Sequence, residues 1–118
     1  MLALALALVV PAVQESAPAP AAPLRVAALS PAARLVDPRL ESRDEILAAV
    51  DRHLTELETL IDRAGAAGCA AVALPEDTLG LGRWEDARPE RLPEILPEAT
   101  RRMLDRLGRA AARHRLYL

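Results

Sequence analysis

The sequence predicts an α/β domain in the order strand, helix, strand, loop, helix, strand. Three observations carry this reading. Two six-residue apolar runs flank a long stretch with apolar residues at three- and four-residue spacing, a second amphipathic stretch follows, and Gly or Pro stands at most junctions. Strand, long helix, strand is a βαβ unit, and its right-handed crossover places the two strands parallel.

The first run, 24–29 (Leu-Arg-Val-Ala-Ala-Leu), lies between Pro23 and Pro31. Its shortness and flanking prolines predict a strand buried on both faces. Residues 31–40, with Pro38, read as loop. A helix then starts at Ser42-Arg43-Asp44-Glu45, the pattern of a capping box. Its apolar face is Ile46, Leu47, Val50, Leu54, Leu57, Leu60, Ile61 and Ala64, and Gly65 and Gly68 supply the stop. The second run, 69–74 (Cys-Ala-Ala-Val-Ala-Leu), is cut by Pro75 and reads as the second strand. Gly80, Gly82 and Pro89 mark 77–92 as loop.

A second helix is predicted over 97–114, with Pro97 near its first position and Met103, Leu104, Leu107, Ala110 and Ala111 facing inward. Glu98/Arg102 and Asp105/Arg109 form i,i+4 pairs on its outer side. Residues 115–118 (Arg-Leu-Tyr-Leu) read as the start of a third strand, which predicts that the chain is a truncated piece of a larger domain. Three bare strands would leave apolar edges and one sheet face uncovered, a surface that favours association.

Residues 1–23 stand apart from the domain at 24–118. The nine-residue apolar run 2–10 would span about 14 Å as a helix, too short for a bilayer core, so no stable membrane span is expected. Its length suits a signal-peptide core, with Ala19-Pro20-Ala21 as a small-x-small cleavage site, yet no Arg or Lys precedes it. Export to the periplasm or outside stays open beside a cytoplasmic chain with a low-complexity tail. Residues 14–23 read as a semi-extended Ala/Pro-rich linker.

Composition removes several function classes. The formal charge is −2 and only Trp84 and Tyr117 are aromatic, so the chain offers neither bulk attraction nor stacking surfaces to nucleic acid. All fifteen basic residues are Arg, so this polypeptide alone supplies no lysine ammonium. One cysteine, Cys69, excludes an internal disulfide and a Cys-based zinc site. No cofactor or metal is called for.

Ligands of parallel α/β sheets bind beyond the carboxyl ends of strands, where Pro75-Glu76-Asp77 falls. A carboxylate held there can act as a general base; equally, Glu76 and Asp77 can be ordinary loop acids. Cys69, at the other end of the same strand, reads as a small buried hydrophobe. His53 and His114 read as structural or surface residues, with His114 suited to the C-terminal dipole of its helix. Trp84 reads as a partly covered loop residue, or as one lining a substrate entrance.

The stretch 64–76, Ala-Gly-Ala-Ala-Gly-Cys-Ala-Ala-Val-Ala-Leu-Pro-Glu, resembles the first catalytic motif of the nitrilase superfamily of carbon–nitrogen hydrolases. The order of elements over 24–118, with Gly80 shortly after the Glu, extends that resemblance. It implies the N-terminal βαβαβ part of an αββα sandwich and a Glu-Lys-Cys triad acting on a small-molecule amide or nitrile, in a protein that forms homo-oligomers. Glu76 matches the general base, whereas the Lys and Cys motifs have no counterpart in this chain, which implies no activity alone. Ser30, Leu81 and Asp77 depart from the family's usual Gln, aromatic and following residue. Two other readings stand beside it. One is a non-catalytic α/β fragment acting by partner binding, or a remnant without function; the other is a small helical interaction protein, which needs both apolar runs to be helical.

Overall fold

The computed structural model describes residues 21–32 and 35–118. The apolar run 2–10 and most of the linker lie outside the described residues. Strand β1 covers Val26–Ala28 and β2 covers Ala71–Ala73, joined by helix α1, Arg43–Ala66. A short helix α2, Gly82–Ala87, a 3-10 turn at Pro89–Arg91 and a long helix α3, Leu92–His114, complete the order. The strands pair in parallel with Val26 beside Ala71 and Ala28 beside Ala73, as the βαβ reading requires.

The βαβαβ part of an αββα sandwich is not what forms. Helix takes up 58% of the described residues and strand 7%, and the sheet has two strands. The expected third strand at 115–118 reduces to one isolated parallel bridge between Ala71 and Tyr117. The reasons are local. Each six-residue run holds a single β-branched residue, Val26 or Val72, among alanines that favour strands poorly, so only three residues of each enter the ladder. At the third site Arg115 adopts a left-handed backbone with φ 53°, and Leu116 N–H is spent on Ala111 C=O, which closes α3. Extended backbone therefore begins only at Tyr117.

Helix α1 follows its predicted face closely. Ile46, Leu47, Val50, Leu54, Leu57, Ile61 and Ala64 are all buried, while Leu60 is only half-buried. Each large aliphatic side chain fully removed from water contributes ~1.5–3 kcal/mol, so this stripe is the main source of stability. Ser42 occupies the N-cap with extended backbone, but its hydroxyl makes no capping bond. At the other end Gly68 takes φ 77°, and the pairs Gly68 N–H to Gly65 C=O and Cys69 N–H to Ala64 C=O form a Schellman motif. Gly65 lends the stop only its carbonyl and takes no left-handed backbone there. It lies inside the last turn beneath the His114 ring of α3, which occupies the space a Cβ would need.

Helix α3 starts five residues earlier than expected, with Pro93 in the first turn and Pro97 inside. Pro93 has the favoured N-terminal position that the sequence reading gave to Pro97. The earlier start adds Ile95 to the core, Ala99 joins it beside Leu107 and Ala110, and Leu104, expected to face inward, is 64% exposed.

The two long helices run parallel in a constant register. Arg102 pairs with Asp51 at 2.6 Å, Arg106 with Thr55 Oγ1 at 2.7 Å and Arg113 with Asp62 at 3.0 Å, each pair 51 positions apart. Arg106 also meets Glu58, and His114 Nε2 lies 2.8 Å from Asp62. The Arg113 guanidinium and then His114 hold the Asp62 carboxyl below its usual range, and Arg101 and Arg102 pull Glu98 down to about 2. These partners range from half-buried to exposed and stay in reach of water, so the ladder sets the helix register more than it adds stability. The predicted pairs Glu98/Arg102 and Asp105/Arg109 both form, at 2.8 and 2.6 Å.

His53 is 2% exposed on the inner side of α1, and neither ring nitrogen has a hydrogen-bond partner. A buried polar group without a partner costs ~1–3 kcal/mol, and leucine fills a similar volume in a helix. His53→Leu is therefore expected to raise the thermal midpoint, by ~4–8 °C per kcal/mol in a domain of this size. A midpoint that falls in calorimetry would show that the ring makes a contact leucine cannot replace.

Candidate functional site

Beyond Ala73 the chain leaves β2 through half-buried Leu74 and Pro75 and places Glu76, exposed, at the tip of a tight turn. Hydrogen bonds fix that turn from both sides. Thr78 Oγ1 donates to Pro75 C=O at 2.7 Å, and Gly80 N–H donates to Asp77 C=O at 3.1 Å. Gly80 sits at φ 72°, a conformation open to glycine at little cost, and its carbonyl accepts from Val36 N–H at 2.9 Å.

Asp77 has a structural task. Its carboxylate accepts Leu81 N–H at 3.0 Å and Gly82 N–H at 2.9 Å, satisfying free amides at the start of α2. Gly82 suits this approach, since a Cβ there would stand 3.0 Å from the carboxylate. Of the two loop acids, one is committed to holding the turn and the other, Glu76, is displayed by it.

The segment predicted as loop over 77–92 contains α2, whose anchor is Trp84. This side chain is fully buried, and its Nε1 donates to Leu40 C=O at 3.1 Å. The reading of Trp84 as a loop residue is thus corrected: it lies in a helix and lines no entrance. Arg88 and Arg91 reinforce the junction by donating to Pro38 C=O and Glu41 C=O. The spacing of Leu81, Trp84 and Arg88 carried that signal, but Gly80, Gly82 and Pro89 masked it.

Glu76 borders a shallow cleft of about 250 Å³ between the β2 turn and the start of α3. Leu79, Leu81, Leu92, Leu96 and Met103 give it an apolar lining, and Glu85 of α2 is a second carboxylate beside it. Glu85, Leu92 and Leu96 were not singled out from sequence and Met103 was read only as a core residue, because they become neighbours of Glu76 only when α2 folds and α3 starts at Leu92. The volume is at the small end for ligand sites, fitting a short aliphatic group with one polar end.

The remaining candidates lie elsewhere. Cys69 is buried in the core at the opposite end of β2, as its reading as a small hydrophobe expects. His53 is in the α1 core and His114 covers Gly65, so neither borders the cleft. Among the described residues no group of three or more His, Cys, Asp or Glu could hold a metal ion, and no helix is long and apolar enough to cross a membrane.

No protein-family model matches the chain, and neither a curated protein nor a solved structure matches it significantly. The carbon–nitrogen hydrolase reading therefore rests on Leu74-Pro75-Glu76 and its setting.

Proposed function

We propose that this chain contributes the general base, Glu76, to the hydrolysis of a non-peptide carbon–nitrogen bond in a small amide or nitrile. One observation supports the reading above the rest: a carboxylate displayed at the carboxyl end of a parallel strand, beside an apolar cleft, by a turn whose other acid is committed to structure. In such a role Glu76 accepts the proton of a thiol nucleophile as it attacks the nitrile or amide carbon. It gives that proton to the substrate nitrogen, which leaves as the amine of an amide or as ammonia once water has added to a nitrile's thioimidate. It then takes a proton from the water that releases the acyl group and returns it to the thiolate. The chain has no Lys, and its single thiol is buried away from Glu76, so in this reading the nucleophile and the lysine of the triad come from other polypeptide.

The purified chain is accordingly expected to hydrolyse neither simple aliphatic amides nor nitriles. Valeramide, a short aliphatic amide, should bind weakly, with a Kd of ~1 mM or above, and shift the NMR signals of Glu76, Leu79, Leu92 and Met103. Glu76→Gln should leave the fold intact and weaken that binding. Hydrolysis by the isolated chain that is lost in Glu76→Gln would overturn the claim that other groups are required. Shifts absent from the cleft would overturn the site itself.

The reading of a non-catalytic piece that acts through a partner is favoured by a separate observation, the uncovered face of the sheet. That face is independent of Glu76.

A further inference from the structure

The cleft beside Glu76 carries charge of one sign. Its ionisable lining residues are Glu76, Asp77 and Glu85, and none of the described arginines borders it. Asp77 is committed to the Leu81 and Gly82 amides, which leaves Glu76 and Glu85. Both are exposed, and neither is ion-paired among the described residues, whereas Asp51, Glu58, Asp62 and Glu98 all hold arginines. The fold of α2 explains why the cleft receives an acid alone. With Trp84 turned into the core, Arg83 and Asp86 border the groove of Asp37 and Arg39, where charges of both signs meet. Glu85 is the one charged residue of α2 that borders the cleft.

We propose, resting on the reading of Glu76 as general base, that Glu85 selects the ligand of this cleft. That ligand is a short aliphatic amide or nitrile bearing an ammonium group at its far end. Glu76 faces the carbon–nitrogen end, the methylenes lie against Leu92, Leu96 and Met103, and the ammonium meets Glu85 at the rim. Charge complementarity then works in both directions. A cation settles beside a carboxylate that has no partner, while a ligand carboxylate at the same end is repelled by it. Because Glu85 keeps contact with water, the ammonium retains much of its hydration, and little desolvation offsets the attraction. The same exposure limits the gain to about two- to fivefold in affinity, the range of a solvated ion pair.

Three primary amides of one chain length test this by NMR titration of the full chain at neutral pH and low ionic strength: valeramide, 5-aminovaleramide and glutaramate. The ammonium of 5-aminovaleramide should tighten binding about two- to fivefold over valeramide, and the carboxylate of glutaramate should weaken it. Glu85→Gln should leave the Kd of valeramide unchanged and abolish the gain from the ammonium. Asp86→Asn, which removes the same charge at the other groove of α2, should keep that gain. Valeramide and 5-aminovaleramide that move the cleft signals with equal Kd overturn this selectivity and leave Glu76 as base untouched. So does a gain that survives Glu85→Gln, or one lost as fully in Asp86→Asn, which would report net charge alone. If neither amide moves the signals of Glu76, Leu92 and Met103, the site itself fails and the role of Glu85 with it.

Discussion

Trp84→Ala is expected to cost ~3–5 kcal/mol, the range for removing a buried aromatic side chain. The indole is fully buried, and its Nε1–H bond to Leu40 C=O joins the α2 segment to the loop before α1. Truncation opens a cavity and also leaves the Leu40 carbonyl without that partner. Domains of this size hold only about 5–15 kcal/mol in total, so much of the stability margin goes with one side chain. Urea unfolding followed by circular dichroism should show the midpoint falling sharply. Trp84→Phe, which keeps most of the volume, should fall far less. The turn bearing Glu76 depends on this anchor through Leu81 and Gly82, so NMR signals of residues 76–82 in Trp84→Ala should move first. A loss below about 1 kcal/mol would mean that α2 is not a fixed part of the fold.

Gly65→Ala should also destabilise, against its helical propensity. Alanine inside a helix is ordinarily better than glycine by ~0.5–1 kcal/mol. Here the added Cβ would meet Cγ and Cβ of His114, atoms close to the α3 backbone that cannot swing aside. Forcing a methyl into such a contact costs ~1–3 kcal/mol, which outweighs the propensity gain. The double variant Gly65→Ala/His114→Ala removes the imidazole ring, the nearer part of the obstacle, leaves the His114 Cβ in place, and gives up the half-exposed pairing of His114 with Asp62. It should therefore be more stable than Gly65→Ala alone, with an interaction energy of about 1–3 kcal/mol in a double-mutant cycle. Additive effects would show that the helices do not approach closely at Gly65.

The difference between the two glycines near the end of α1 explains how far local sequence could be read. Gly68 is needed for a backbone reason, a positive φ after the last helical turn, and the Ala-Gly-Ala-Ala-Gly pattern announces it. Gly65 is needed because a histidine nearly fifty residues later passes over it, and no local pattern carries that. Asp77 and Glu76 divide in the same way. Their place at the end of β2 was legible, but which acid holds the turn and which is displayed depends on where Leu81 N–H and Gly82 N–H point.

By itself the sequence determined the βαβ order: two parallel strands, though twice as long as those that form and with the first buried on both faces where Val26 is exposed, most of the buried face of α1, its glycine stop, and Glu76 just beyond β2. These follow from hydrophobic period, Gly and Pro placement and the handedness of crossovers, which act over a few neighbouring residues or one connection. Tertiary structure alone decided that the third strand shrinks to one bridge at Tyr117, that Trp84 anchors a helix inside an apparent loop, and that Leu92, Leu96 and Met103 meet Glu76 across a cleft. Strand length depends on what each backbone group pairs with, and burial depends on distant partners. Both are settled only when α3 packs along α1.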